Sequence, residues 1–186
     1  NNLIDFNFGF RLEHINNLVQ KFYSNSRWND ENYEKDLGPY VIKEILSQKL
    51  VKRRIIFNNP SINFGVKSGI IPSHEVSLNF FYTQRAPDIA EMFSDGLHHA
   101  IASIEYGDPF LKSEIINKFV VNFEKKEGNF QYNLNPYFTT GKNYIVIEPV
   151  GVEQSIRGAF PVWEFRSISS LLKGLDVDLS YRLNKN

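Results

Sequence analysis

The chain has no cysteine. Disulfides, thiol catalysis and thiolate metal sites are therefore excluded. It has no net charge either, since 21 basic residues balance 21 acidic ones over 186 positions. Without a global field, nucleic acid or an anionic surface could be held only by a local patch, so a nucleic-acid partner is not expected. Neutrality also removes the repulsion that keeps monomers apart and so favours an assembled protein. No apolar run is long enough to span a bilayer, and no signal peptide is visible, so no membrane span is expected. The one methionine is Met92 and the chain begins at Asn1. A processed form, a fragment or a trimmed chain is expected, and a removed signal peptide or pro-segment fits.

What is abundant is aromatic. Sixteen Phe and nine Tyr contribute to an aromatic share of 15%, within 42% hydrophobic and 23% charged residues. That is ordinary globular composition with large rings for a core. No linker or internal repeat is apparent, so a single domain over residues 1–186 is expected, with residues 1–10 as an N-terminal arm.

The chain is organised around residues 75–104. Val76, Leu78, Phe80 and Tyr82 alternate with polar neighbours, the period of a half-buried strand. Ala86-Pro87-Asp88 breaks it. Ile89, Met92, Phe93, Leu97, Ala100, Ile101 and Ile104 then follow at helical spacing. Before this stretch, Ile4, Phe6, Phe8 and Phe10 share one face of a short strand or arm that could pair with a neighbour's sheet edge. Leu12, Ile15, Leu18, Val19, Phe22 and Tyr23 predict a helix over 11–24. Pro39 restarts a helix with Val41, Ile42, Ile45 and Leu46 on its buried side. Strands are predicted around 55–57 and 62–66.

After the central helix the pattern turns to strands. Phe119, Val121 and Phe123 alternate, Lys126-Glu127-Gly128-Asn129 turns, and Phe130, Tyr132 and Leu134 alternate on the way back. Residues 144–148 form another strand. Residues 149–161 read as a Gly- and Pro-punctuated loop, and 168–172 as a short helix. Leu175, Val177, Leu179, Tyr181 and Leu183 alternate with Asp176, Asp178, Ser180 and Arg182 in a half-exposed last strand. The fold class expected is α+β, a mostly antiparallel sheet with amphipathic helices packed on one face.

Chemistry is sparse. On the predicted central helix Glu91, Asp95, His98 and His99 lie away from the apolar stripe, one turn apart, where carboxylate and imidazole could hold a divalent metal or form an acid–base pair. Outward polar residues are equally what any amphipathic helix carries. Pro87-Asp88 with Glu124-Lys125-Lys126 imitates the acid and lysine set of metal-dependent nucleases. Lys49, Lys52, Arg53 and Arg54 could meet phosphates, although alternation splits Arg53 from Arg54. Ser170-Leu171-Leu172-Lys173 matches Ser-x-x-Lys without its partner motifs. No cofactor motif is present.

The segment Val76-Ser77-Leu78-Asn79-Phe80-Phe81, followed by Asp88-Ile89-Ala90-Glu91-Met92-Phe93, resembles tail-terminator or neck proteins of contractile-tailed bacteriophages. The resemblance implies a small α+β ring subunit, non-enzymatic, that joins other virion proteins, and it carries over no functional residues. The function expected is a structural or assembly subunit working through protein contacts in a homo- or hetero-oligomer. Phe6, Phe8, Phe10, Lys52, Arg53 and Arg54 are its interaction candidates. A metal-dependent hydrolase or nuclease using Glu91, Asp95, His98 and His99 is the first alternative, and a periplasmic or secreted binding module the second. A virion, periplasmic or secreted location fits.

Overall fold

The computed structural model describes residues 4–69, 71–156 and 158–183. They form β1 (Ile4–Ser24), α1 (Asn25–Asp30), α2 (Glu34–Leu37), β2 (Val41–Ile45), β3 (Gln48–Ser68), β4 (His74–Arg85), α3 (Ile89–Phe93), β5 (Asp95–His98), β6 (Ser103–Tyr106), β7 (Glu114–Lys125), β8 (Phe130–Ser155) and β9 (Gly158–Tyr181). About 72% of the structure is strand and 10% helix, which overturns the α+β expectation. The strand order is β1-β3-β4-β7-β8-β9-β6-β5, with β2 on β3. From β3 through β9 the long strands pair antiparallel, and β6 joins β9 in parallel.

Four expected helical or loop segments are strands, for identifiable reasons. Residues 11–24 belong to β1, where burial alternates with period two as far as Tyr23. Leu12, Leu18 and Phe22 stand on its exposed side, and Ile15 and Val19 on the other. A helical stripe and a two-faced strand share these positions, and pairing with β3 selects the strand. Residues 39–50 hold one 3₁₀ turn, then β2 and the start of β3. The predicted helix at 168–172 and loop at 149–161 lie in the long β8–β9 hairpin. The central helix is only five residues long. It stops at Ser94, and Gly96 then takes φ +123°, a left-handed conformation that a helix cannot continue. The expected strands at 76–82, 119–134 and 175–181 are present.

The chain divides into two compact units, Asn1–Leu12 with Asn59–Asn186, and Glu13–Asn58. The smaller unit has a conventional core of Tyr23, Trp28, Tyr33, Leu37 and Val51, all buried, with Val41 packed against them. Its three rings meet edge to face at centroid distances of 5.4–6.1 Å, a favoured aromatic geometry. Ser24 caps α1 by accepting from the Arg27 N–H at 3.3 Å. The Trp28 indole donates to Glu34 at 2.8 Å, and Lys49 donates to the same carboxylate at 3.0 Å while lying over the indole ring.

Among the described residues of the larger unit, no such core lies beneath the long strands. Its buried apolar residues, Ala86, Met92, Ile104, Leu111 and Val162, gather around the excursion between β4 and β7 and its contact with β9. Gly107 packs there against the α3 backbone, where a Cβ would come within 2.5 Å of the Met92 carbonyl carbon. The first three residues of the expected arm lie outside the described residues; from Ile4 onward it is part of β1.

Candidate functional site: a sheet with an apolar and a polar face

The long strands of the larger unit sort their side chains by chemistry. On β1, Ile4, Phe6, Phe8, Phe10 and Leu12 point one way and are 48–71% exposed. Alternation and register place Ile62, Phe64 and Val66 of β3 on the same face as Val76, Leu78, Phe80 and Tyr82 of β4. Phe123, Val121 and Phe119 of β7 continue it, with Tyr132, Leu134 and Phe138 of β8. Leu171, Leu175, Val177, Leu179 and Tyr181 of β9 complete it. One cross-strand row runs Phe64, Phe80, Phe119, Phe138 and ends at Lys173, whose ammonium lies 5.9 Å from the Phe138 ring centre.

The opposite face is mainly polar, with Phe81, Ile116, Val120 and Leu172 among its apolar members. It carries Asp5, Asn7 and Arg11 of β1, Asn63 and Lys67 of β3, and Ser77, Asn79 and Thr83 of β4. Lys118, Asn122 and Glu124 of β7 face Thr139, Asn135 and Asn133 of β8, with Asp176, Asp178 and Ser180 on β9. Asn122 donates to both Asn133 at 2.7 Å and Asn135 at 2.8 Å. Gly9, Gly65, Gly141 and Gly174 lie on this face, and neighbouring side chains lean over each of them. The Tyr137 ring rests on Gly174 and Asn63 on Gly9. The glycines leave room on this face for the side chains of neighbouring strands.

The apolar run on β1 covers nine residues, about 26 Å at the rise of a strand. A bilayer-spanning strand needs about 9–11 residues. Aromatic groups mark one end of the apolar face. His74, Phe123, Tyr132 and Phe130 are linked by centroid distances of 5.8–6.0 Å. Beside them are two short connections, residues 69–73 and 126–129, tied by the Lys126 N–H to the Ser73 carbonyl at 3.3 Å. The other end carries the 28-residue stretch between β4 and β7 and the extended β8–β9 hairpin.

At that longer end a charge cluster holds the excursion. The Arg85 guanidinium donates to both oxygens of Glu91 at 3.0 and 3.1 Å and to Glu114 at 2.7 Å. Glu114 is buried and also accepts from the Ile145 N–H at 2.6 Å. Glu91 accepts from the Asp88 N–H at 2.7 Å, at the start of α3. The end of β4, the helix α3, the start of β7 and β8 are thus bonded through one arginine and two carboxylates.

The candidates from sequence fall as follows. Glu91 belongs to the Arg85 cluster, Asp95 and His98 are on β5, and His99 is in the turn after it. His98 Nδ1 meets Glu105 at 3.1 Å. With the helix ending at Phe93, the four share no helix face, and no group of three potential metal ligands occurs among the described residues. Phe6, Phe8 and Phe10 are on the apolar face. Lys52 and Arg54 are exposed on β3, whereas Arg53 lies over the Tyr40 ring at 5.4 Å. Asp88 follows one end of the β4–β7 pair, where Arg85 faces Glu114, and Glu124 faces Glu75 at the other. Ten residues of strand, about 30 Å, separate the two halves of the nuclease pattern. Ser170 and Lys173 stand on opposite faces of β9. What residue-by-residue reading missed is the face itself: six alternating segments whose apolar side meets no core.

The comparisons agree with this geometry. No curated protein matches the chain. A solved structure with a similar fold is a double mutant of the Serratia marcescens hemophore receptor HasR in complex with its hemophore HasA and heme, at 17% identity and a TM-score of 0.61. The similarity covers 97% of this chain and 29% of that one, so the chain spans less than a third of that receptor's length. That neighbour holds a protein partner. No described helix is long and apolar enough to cross a membrane, a criterion that leaves strands untested. The family model "TonB dependent receptor-like, beta-barrel" matches residues 1–185. The phage resemblance, and with it the virion assembly subunit and the hydrolase alternative, is overturned by this match and by a sheet that has no packed helical layer. The chain belongs to the TonB-dependent receptor-like β-barrel family.

Proposed function

We propose that these residues form part of the wall of an outer-membrane uptake receptor. β1, β3, β4, β7, β8 and β9 cross the bilayer, the apolar face meets lipid, and the polar face lines the lumen. The observation that carries this reading is the alternation itself, apolar outward and polar inward on six neighbouring strands over a membrane-sized length. The aromatic group at one end supports it, because such rings settle at the membrane–water boundary. Outer-membrane barrels keep short turns on the periplasmic side and long loops outside. Residues 69–73 and 126–129 are accordingly periplasmic, and the excursion at 86–113 and the β8–β9 tip extracellular. The HasR structure holds its hemophore HasA and heme, which makes heme the first ligand to assay.

The test uses spin labels in the full receptor, reconstituted in lipid. The segment has no cysteine of its own. Labels at Phe8→Cys and Leu134→Cys should relax with oxygen, which concentrates in lipid. Labels at Thr139→Cys and Asp178→Cys should relax with a water-soluble nickel chelate. Equal accessibility on both faces, or the reverse order, would sink the reading.

A further inference from the structure

The apolar side of the long strands carries a few charges, and they are of one sign. Among the described residues of β1, β3, β4, β7, β8 and β9 in the larger unit, its only Asp, Glu, Lys or Arg residues are Lys125, Lys142 and Lys173. Asp5, Glu75, Glu114, Glu124, Asp176 and Asp178 all stand on the opposite side. Lys125 pairs with Tyr132, within the aromatic group at the short-turn end. The other two lysines are at the far end. Lys173 pairs with Phe138, and Lys142 follows Phe138 on β8, so they stand eight and twelve residues along that strand from Phe130. At about 3.3 Å per residue and a tilt of about 40°, that is roughly 20 and 30 Å above Phe130. The apolar band of a membrane barrel is about 25 Å tall, so the two lysines bracket its far boundary.

Between the two lysines on the same side is Thr140, which accepts from the Asn117 amide at 3.5 Å and so keeps its own hydroxyl hydrogen to donate outward. Lys142 sits in a bulge, where the register with β9 shifts between Gly141 and Tyr144. Its neighbour Asn143 takes a left-handed φ of +55° there and donates to the Ser113 carbonyl at 3.2 Å, which fixes the bulge and the direction of Lys142. Neither lysine meets a carboxylate among the described residues. Below them Phe138, Leu171 and Leu175 continue the apolar surface. We propose that Lys142, Thr140 and Lys173 bind the phosphate of an anionic lipid in the extracellular leaflet, with its acyl chains against Phe138, Leu171 and Leu175. The inference rests on the membrane reading above and adds to it a headgroup site. A lysine stem lies along apolar surface and carries its ammonium to the interface. Two ammonium groups and a hydroxyl donor suit phosphate, whose oxygens all accept charge-assisted hydrogen bonds. The occupant is a lipid because the donors adjoin the apolar face, which a soluble anion would leave uncovered. Its headgroup carries phosphate without an ammonium of its own, since a like charge beside Lys142 and Lys173 is repelled.

Fluorescence quenching on the full receptor in phosphatidylcholine vesicles tests it. A bimane label at Leu171→Cys, opposite Thr140 in the register, reads the lipid at this boundary. Phosphatidic acid with brominated chains should associate there several-fold more strongly than brominated phosphatidylcholine, each lysine contributing about fivefold. Lys142→Gln with Lys173→Gln should bring the ratio close to one. Lys142→Arg with Lys173→Arg should keep it, which separates loss of charge from misfolding. Inorganic phosphate in the buffer, at constant ionic strength, should leave the preference in place. A ratio of one in the unsubstituted receptor, or a ratio unchanged by the double Lys→Gln substitution, overturns the site. Loss of the preference to inorganic phosphate overturns the lipid as its occupant in favour of a soluble anion. Quenching by phosphatidylcholine itself keeps the two readings apart. Where that quenching is present without a preference, the headgroup site alone fails. Where neither lipid quenches the label, the membrane reading fails.

Discussion

The two units use the same residue types in opposite ways. In residues 13–58, Trp28 is 2% and Leu37 1% exposed, and charged groups stand outside. Among the strands of the larger unit, Phe6 and Phe8 are 70% and 71% exposed, and asparagines pair on the polar face. Burial in the first case removes apolar surface from water by packing it against protein. In the second, on the proposed membrane reading, lipid would do the same work, so the side chains would need no protein neighbours. The lesson is that relative exposure measures contact with other protein, and what lies outside decides whether an exposed phenylalanine is costly.

The sharpest break of this contrast is truncation at each site. Trp28→Ala should cost about 3–5 kcal/mol, because a packed cavity is left behind. It should expose residues 25–47 to protease in the intact receptor. Phe8→Ala should leave that cleavage pattern unchanged.

Charge insertion works in the opposite sense. Val177→Arg places a cation on the lipid face and should cost about 2–4 kcal/mol near the bilayer midplane. Leu172→Arg, on the other face and equally solvent-reachable in the isolated chain, should stay within about 0.5 kcal/mol. Urea unfolding in lipid vesicles reads both. Equal effects would remove the distinction between the faces.

A third expectation concerns crowding on the polar face. Gly174→Val drives a side chain into the Tyr137 ring and should cost about 1–3 kcal/mol. Adding Tyr137→Ala should recover part of that loss, read by the same unfolding.

The smallest effect belongs to Glu34 in the smaller unit. The Trp28 indole, and then Lys49, hold its carboxyl below the usual range. A lowered folded value means that its contribution is present above the unfolded value and is lost as pH falls through the folded one. Protease resistance of residues 25–47 should therefore be flat from pH 8 to about 5 and decline only below the ordinary carboxylate range of about 4. Glu34→Gln should remove that acid dependence without unfolding the unit.

Much of this sheet was legible in order and little of it in meaning. The alternations at 4–10, 76–82, 119–125, 130–134 and 175–181 are strands, and the last stops before Leu183. The alternation at 76–82 predicts a half-buried strand and that at 175–183 a half-exposed one, because in water the apolar side of a strand must face protein. Residues 11–24 misled because apolar groups fall on both parities, Leu12 and Leu18 against Ile15 and Val19, which a helical stripe also satisfies. At 89–104, Ser94-Asp95-Gly96 was the visible sign that the helix ends, and the apolar residues beyond it suggested otherwise. The Arg85 cluster had no sequence signal, since its members are 6 and 29 positions apart.

By itself, the sequence determined the period of the strands, the tight turn at 126–129, the absence of thiol chemistry and the balance of charge. These depend on neighbours in the chain, and backbone sterics and side-chain alternation decide them locally. Only the tertiary structure decided which strands adjoin, which side chains share a face and where β6 meets β9. Those follow from register across strands distant in sequence. A shift of one residue would turn every phenylalanine of the apolar face to the polar side.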